Sequence, residues 1–108
     1  MDDKEFERQA DSALARLNRK LGAAGDTFGF ESDFNAGALT IEFDEPPGRF
    51  VVSPNSPVKQ IWVSALTRSF KLHWDDTRKE FVLPETGQAL DAVIEEAIGK
   101  HTGEQVKL

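Results

Sequence analysis

Ser56-Pro57-Val58-Lys59-Gln60-Ile61-Trp62-Val63-Ser64 lies in the middle of a 108-residue chain. After the proline, apolar and polar residues alternate with the period of two that a half-buried strand requires. If Ile61 and Val63 face a core, then Gln60, Trp62 and Ser64 face water. The same pattern recurs on both sides of this stretch. In Ala38-Leu39-Thr40-Ile41-Glu42-Phe43, the residues Leu39, Ile41 and Phe43 share one face, and Thr40 and Glu42 the other. Phe50 and Val52 point inward from Arg49–Ser53. Phe70, Leu72 and Trp74 point inward from Ser69–Trp74, with Lys71 and His73 outward. Glu45–Gly48, Pro54–Pro57 and Asp75–Arg78 punctuate the chain as turns. Phe81-Val82-Leu83 follows the last of them.

Both ends of the chain switch to helical spacing. Phe6, Ala10, Ala13, Leu14, Leu17 and Leu21 form one apolar stripe. Asp2 or Asp3 serves as its cap, and Gly22 and Gly25 as its stop. Near the C-terminus a helix is predicted from Thr86 or Gly87, with Leu90, Val93, Ile94, Ala97 and Ile98 as its apolar face and Gly103 beyond its end. Strands that alternate on one side only need cover on one side only. The two helices are the available cover. The prediction is an α/β (α+β) two-layer sandwich: an antiparallel sheet of five to six strands, with the N- and C-terminal helices packed on one face. It spans a single domain, residues 1–108.

Composition limits what such a domain can do. No apolar run approaches the ~20 residues needed to cross a bilayer. The acidic start lacks the basic and apolar segments of a secretory signal, which predicts a cytoplasmic protein. Cysteine is absent, so disulfides, thiolate metal ligands and a cysteine nucleophile are excluded. The formal net charge is −6. Residues 1–45 carry eleven carboxylates against five bases, while the remainder balances. That polarity argues against nucleic acid. It favours cations or a basic protein partner, the alternative being a solvated, solubilising surface.

Few residues suggest catalysis. His73 and His101 lack the i, i+4 partner of a zinc helix and read as surface residues. Gly22, Gly25 and Gly29 follow no strand, so they read as a helix stop rather than a phosphate loop. Asp75-Asp76 reads as a turn, since Asp favours turns for its own backbone bonding, the alternative being a metal site. What remains is carboxylate. Asp3, Glu7 and Asp11 recur along one edge of the first helix and offer hard oxygen ligands for Ca²⁺, Mg²⁺, Mn²⁺ or Fe²⁺. Such a site is exposed, water fills most of its coordination positions, and affinity is weak. A ferroxidase would need clustered ligands in shelter, so a non-enzyme is expected. Trp62 is either the aromatic anchor of a protein interface or a ring packed under neighbouring aliphatic stems or simply exposed.

Three segments carry a family resemblance. Asp3-x-Glu5-Phe6-x-x-x-Ala10-Asp11, Asn35-Ala36-Gly37-Ala38-Leu39-Thr40-Ile41 and Pro57-Val58-Lys59-Gln60-Ile61-Trp62-Val63-Ser64 resemble, in order, the first helix, first long strand and most recognisable segment of the bacterial frataxins. The resemblance runs nearly end to end and implies the same sandwich. It also implies a monomeric regulator of iron–sulfur cluster assembly that docks on a cysteine desulfurase and its scaffold protein. By that analogy Asp3, Glu7, Asp11, Asp26, Glu31 and Asp33 hold iron (Fe²⁺ or Fe³⁺) weakly or meet basic side chains. Ser53, Gln60, Trp62, Lys71 and His73 form the partner face. The chain departs from the family pattern at Asn18-Arg19-Lys20, where acids usually continue, so fewer and weaker iron sites are expected. Ser53 stands where the family commonly has asparagine. Lys71 stands where some members have arginine, whose planar bidentate contact lysine cannot make.

Overall fold

The first helix outruns its predicted stop. In a computed structural model describing residues 1–108, α1 spans Asp3–Phe28. The Asp2 carboxylate caps it, accepting the Glu5 backbone N–H at 2.8 Å. Phe6, Ala10, Leu14, Leu17 and Leu21 are buried along one stripe, as the spacing predicts. Gly22 and Gly25, however, lie inside the helix, and Gly29 ends it in the left-handed conformation, φ +75°. Each interior glycine costs about 1 kcal/mol of helix propensity. Ala24, between them, and Phe28, beyond them, pack against the core, and that burial carries the helix through.

Six strands follow in sequence order: β1 Phe30–Asn35, β2 Ala38–Phe43, β3 Gly48–Asn55, β4 Gln60–Ala65, β5 Arg68–Asp75 and β6 Glu80–Val82. All pair antiparallel with their chain neighbours. β1 adds a strand to the four alternating stretches and the Phe81 segment that the sequence reading identified. Its inward residues, Phe30, Ser32 and Phe34, alternate with Glu31 and Asp33. A two-residue connection joins it to β2, with Ala36 at φ +54° and Gly37 at φ +81°. Positive φ at both central positions suits the twist of a hairpin. β3 also runs further than expected, through Pro54 and Asn55, and the turn moves to a short 3-10 segment, Ser56–Val58. The last helix, α2, spans Leu90–Thr102 rather than starting at Thr86 or Gly87. Leu83–Gln88 forms a turn instead, closed by the Leu83 N–H donating to the Gln88 carbonyl at 2.8 Å.

Both helices pack on one face of the sheet, giving the two-layer sandwich. One cluster joins α1, α2 and the inward strand residues, including Ile41, Val52, Ile61, Val63 and Leu72. Aromatic edges lock its ends. Phe6 meets Phe81 edge-on at 5.8 Å, and Trp74 meets Phe81 at 5.1 Å.

His101 does not stay at the surface as expected. It is half-buried in the last turn of α2, its ring 4.7 Å from Phe43 and 5.9 Å from Phe50. Its Nε2 lies 2.8 Å from the Pro46 carbonyl, on the β2–β3 turn. A helix end is thereby fastened to a distant hairpin. His101→Ala removes that bond and the aromatic contacts, and is expected to cost about 1–3 kcal/mol. Urea denaturation monitored by circular dichroism checks this; an unchanged midpoint would count against the fastening role.

Candidate functional site

Strand parity and register assemble the open face. Ser53 on β3 pairs with Trp62 on β4, which pairs with Lys71 on β5. In the adjacent row Asn55 pairs with Gln60, and Gln60 with His73. All five expected partner residues therefore lie in two neighbouring cross-strand rows. They span three strands, a width of about 10 Å. Ile61 and Val63 are fully buried on the opposite side, and Trp62 is 39% exposed. The indole is thus outward, not packed beneath the helices.

The indole is also held in place. Its Nε1–H donates to Gln60 Oε1 at 2.9 Å. The Lys71 ammonium sits over its ring, 4.9 Å from the centroid. Gln60 reaches it because residues two apart share a strand face, and Lys71 because it is directly opposite. The ring so fixed borders a depression of about 240 Å³, lined also by Val51, Ser53, Ser64 and Ser69. An amphipathic ring already held by its neighbours loses little side-chain entropy on docking. Lys71 thus has a role that the comparison with arginine did not suggest: it orients the tryptophan.

The six acidic candidates are not brought together. Asp3, Glu7 and Asp11 are exposed on α1, but Asp3 to Asp11 spans about 12 Å of helix, and Asp26 lies about 22 Å further on. Glu31 and Asp33 belong to the other layer: they point outward from β1, across the sheet from α1. Asp3 is engaged by Lys59, Nζ to Oδ1 3.0 Å. Glu7, Asp11, Asp26, Glu31 and Asp33 have no ion pair. No three His, Asp or Glu side chains converge on one point. An ion here would meet one or two carboxylates and complete its shell with water.

The structure adds an acid that the sequence reading left out of this set. Glu42 pairs directly with Glu31, and Arg49 pairs with Glu42 on the other side. The Glu42–Arg49 separation is 4.0 Å with both side chains exposed, so the pair contributes little. Glu31, Asp33 and Glu42 therefore form an acidic margin on the same open face as Trp62. Cross-strand register brings Glu42 into it, and single-strand alternation cannot show that.

No helix is long and apolar enough to cross a membrane. The model of the frataxin-like domain matches residues 1–104. The iron-sulfur cluster assembly protein CyaY of Dechloromonas aromatica is 38% identical over 90 residues, 79% of this chain and 84% of that protein. The protein of the same name from Vibrio cholerae is 24% identical over 106 residues, 98% of this chain and 97% of its own. The mitochondrial frataxin of Caenorhabditis elegans is 29% identical over 94 residues, 83% of this chain and 69% of its own. Among solved structures, a frataxin from Psychromonas ingrahamii superposes with a TM-score of 0.84 at 22% identity, covering 99% of this chain and 97% of that one. The alternation, the outward tryptophan and these matches agree, and the chain belongs to the frataxin family.

Proposed function

We propose that this chain is a non-enzymatic regulator of iron–sulfur cluster assembly that docks on a cysteine desulfurase and its scaffold protein. The observation that supports it most is the exposed, pre-oriented indole of Trp62 on an otherwise polar sheet face. Interface energy concentrates in such aromatic anchors. The names of the bacterial relatives point to the same process. In this reading Trp62, Gln60 and Lys71 seat the partner, while Glu31, Asp33 and Glu42 meet its basic side chains. Iron is held weakly, by single or paired carboxylates at the surface. The test is a pull-down of a bacterial cysteine desulfurase with and without its scaffold protein. Retention that fades as salt rises is expected, because the acidic contribution is screened. No retention at low salt would defeat the reading.

A second reading, a metal-independent acidic binding module, draws on the dispersal of the carboxylates and the Lys59 ammonium already seated at Asp3. Anaerobic titration calorimetry with Fe²⁺ separates the two. Weak heats that shrink in Glu31→Gln/Asp33→Asn are expected if these acids hold iron. A flat trace at millimolar metal would favour the metal-independent module.

A further inference from the structure

At one end of the sheet, the β4–β5 connection and the last turns of α2 border an open apolar notch of about 180 Å³, which shares Phe70 with the depression beside Trp62. Phe50, Ala65 and Ala97 contribute its lining, and Leu66 and Phe70 its edge. Its charged and titratable lining is Arg68, Lys100 and His101, with no acidic residue among them. On a chain of net charge −6 this is a local reversal of sign. Arg68 has no carboxylate partner, and its guanidinium lies over Phe70, 4.9 Å from the ring centroid. A guanidinium placed over an aromatic ring still presents N–H donors to a carboxylate. Lys100 is only loosely engaged, 3.7 Å from Glu96.

Leu66 supplies an independent observation. It occupies the two-residue connection between Ala65 and Arg68, which pair across it. Its φ is +62°, a conformation that favours glycine or asparagine. The residue is 51% exposed. A large apolar residue therefore stands half-exposed at a notch rimmed with positive charge.

We propose that this notch docks an acidic segment of a partner protein, inserting one apolar side chain between Leu66, Phe50 and Phe70 and placing a flanking carboxylate on Arg68. The size selects a protein segment over a free small molecule. A volume of about 180 Å³ is below the roughly 300–1,000 Å³ of small-molecule pockets and suits a single side chain. The charge selects an acidic segment. The notch thus prefers the opposite sign to the acidic margin near Trp62, so one partner or two can be held at separate places.

The test uses the whole ¹⁵N-labelled chain and the end-capped peptide EDLLDE, followed by NMR. Saturable shifts at the amides of Ala65, Leu66, Arg68, Lys100 and His101 are expected, with Trp62 and Asp33 silent. Arg68→Gln should weaken the peptide about tenfold. Leu66→Gly should weaken it by about fivefold or more without lowering the melting temperature, because the substitution relieves the backbone while deleting the anchor. Equal binding of the uncharged peptide QNLLNQ would overturn the proposal. So would shifts centred elsewhere, Leu66→Gly binding as the parent does, or sodium decanoate occupying the notch while EDLLDE does not.

Discussion

Trp62→Ala should reduce retention of the cysteine desulfurase complex by about 30-fold or more, the loss typical of removing a central aromatic anchor. The fold should survive the change. The ring is 39% exposed and lies outside the apolar core. Its specific polar contacts are the Gln60 hydrogen bond and the Lys71 ammonium, together about 1–2 kcal/mol at an exposed site. A fall in melting temperature of no more than about 10 °C is therefore expected. Gln60→Ala and Lys71→Ala should have smaller effects, about three- to tenfold each, because they free the ring without deleting it. Salt separates these residues from the acidic margin. Raising ionic strength should diminish the effect of Glu31→Gln and Asp33→Asn, whose contribution is charge at a distance. It should leave most of the Trp62→Ala effect, which is desolvated area. Measuring dissociation constants at two salt concentrations for all five variants decides it. Trp62→Ala binding as tightly as the parent would remove the indole from the interface.

What single-sequence reading could reach here follows from the range of each interaction. The side of the pleat that Trp62 occupies is a local property: Ile61 and Val63 are apolar neighbours, and period two does the rest. The stripes of α1 and α2 and the inward faces of β2 to β5 were legible for the same reason. β1 was harder to read. Its alternation, Phe30-Glu31-Ser32-Asp33-Phe34, is plain once seen, but it follows three glycines that suggest a loop. The Ala36-Gly37 connection is a weaker hairpin signal than Asn-Gly. Relations fixed by register could not be read from alternation alone. Lys71 over the indole, Glu42 beside Glu31, and His101 on the Pro46 carbonyl all join residues of different elements. How far apart the acidic candidates lie could not be read from alternation either. Residues spaced a turn apart along one helix share a face but drift apart by about 1.5 Å per residue, and Glu31 and Asp33 lie in the other layer, on β1.

Gly22 and Gly25 show how far one residue type can differ within a turn. Both looked like helix stops, and both are helical. A Cβ added at Gly22 would meet nothing within 4 Å. Gly22→Ala should therefore stabilise the chain by about 0.5–1 kcal/mol, since alanine restricts the unfolded chain and favours the helix. At Gly25 the added carbon would lie 2.3 Å from the Phe30 carbonyl oxygen. That oxygen belongs to the first residue of β1, so it cannot swing aside as a side chain would. The absence of a Cβ is what lets the chain fold back from α1 onto the edge strand so closely. Gly25→Ala must push α1 and β1 apart, exposing part of the contact that Leu21 and Phe30 make with the core, at about 2–3 kcal/mol. In a chain of this size the two substitutions should move the melting temperature in opposite directions, up by about 3–6 °C and down by about 10–20 °C. Differential scanning calorimetry of both variants checks it. A Gly25→Ala protein as stable as the parent would mean that the helix-to-strand approach is looser than 2.3 Å implies. β1 carries Glu31 and Asp33, so the same displacement would shift the acidic margin relative to Trp62. Gly25→Ala should then weaken the salt-dependent part of desulfurase retention while the Trp62-dependent part persists.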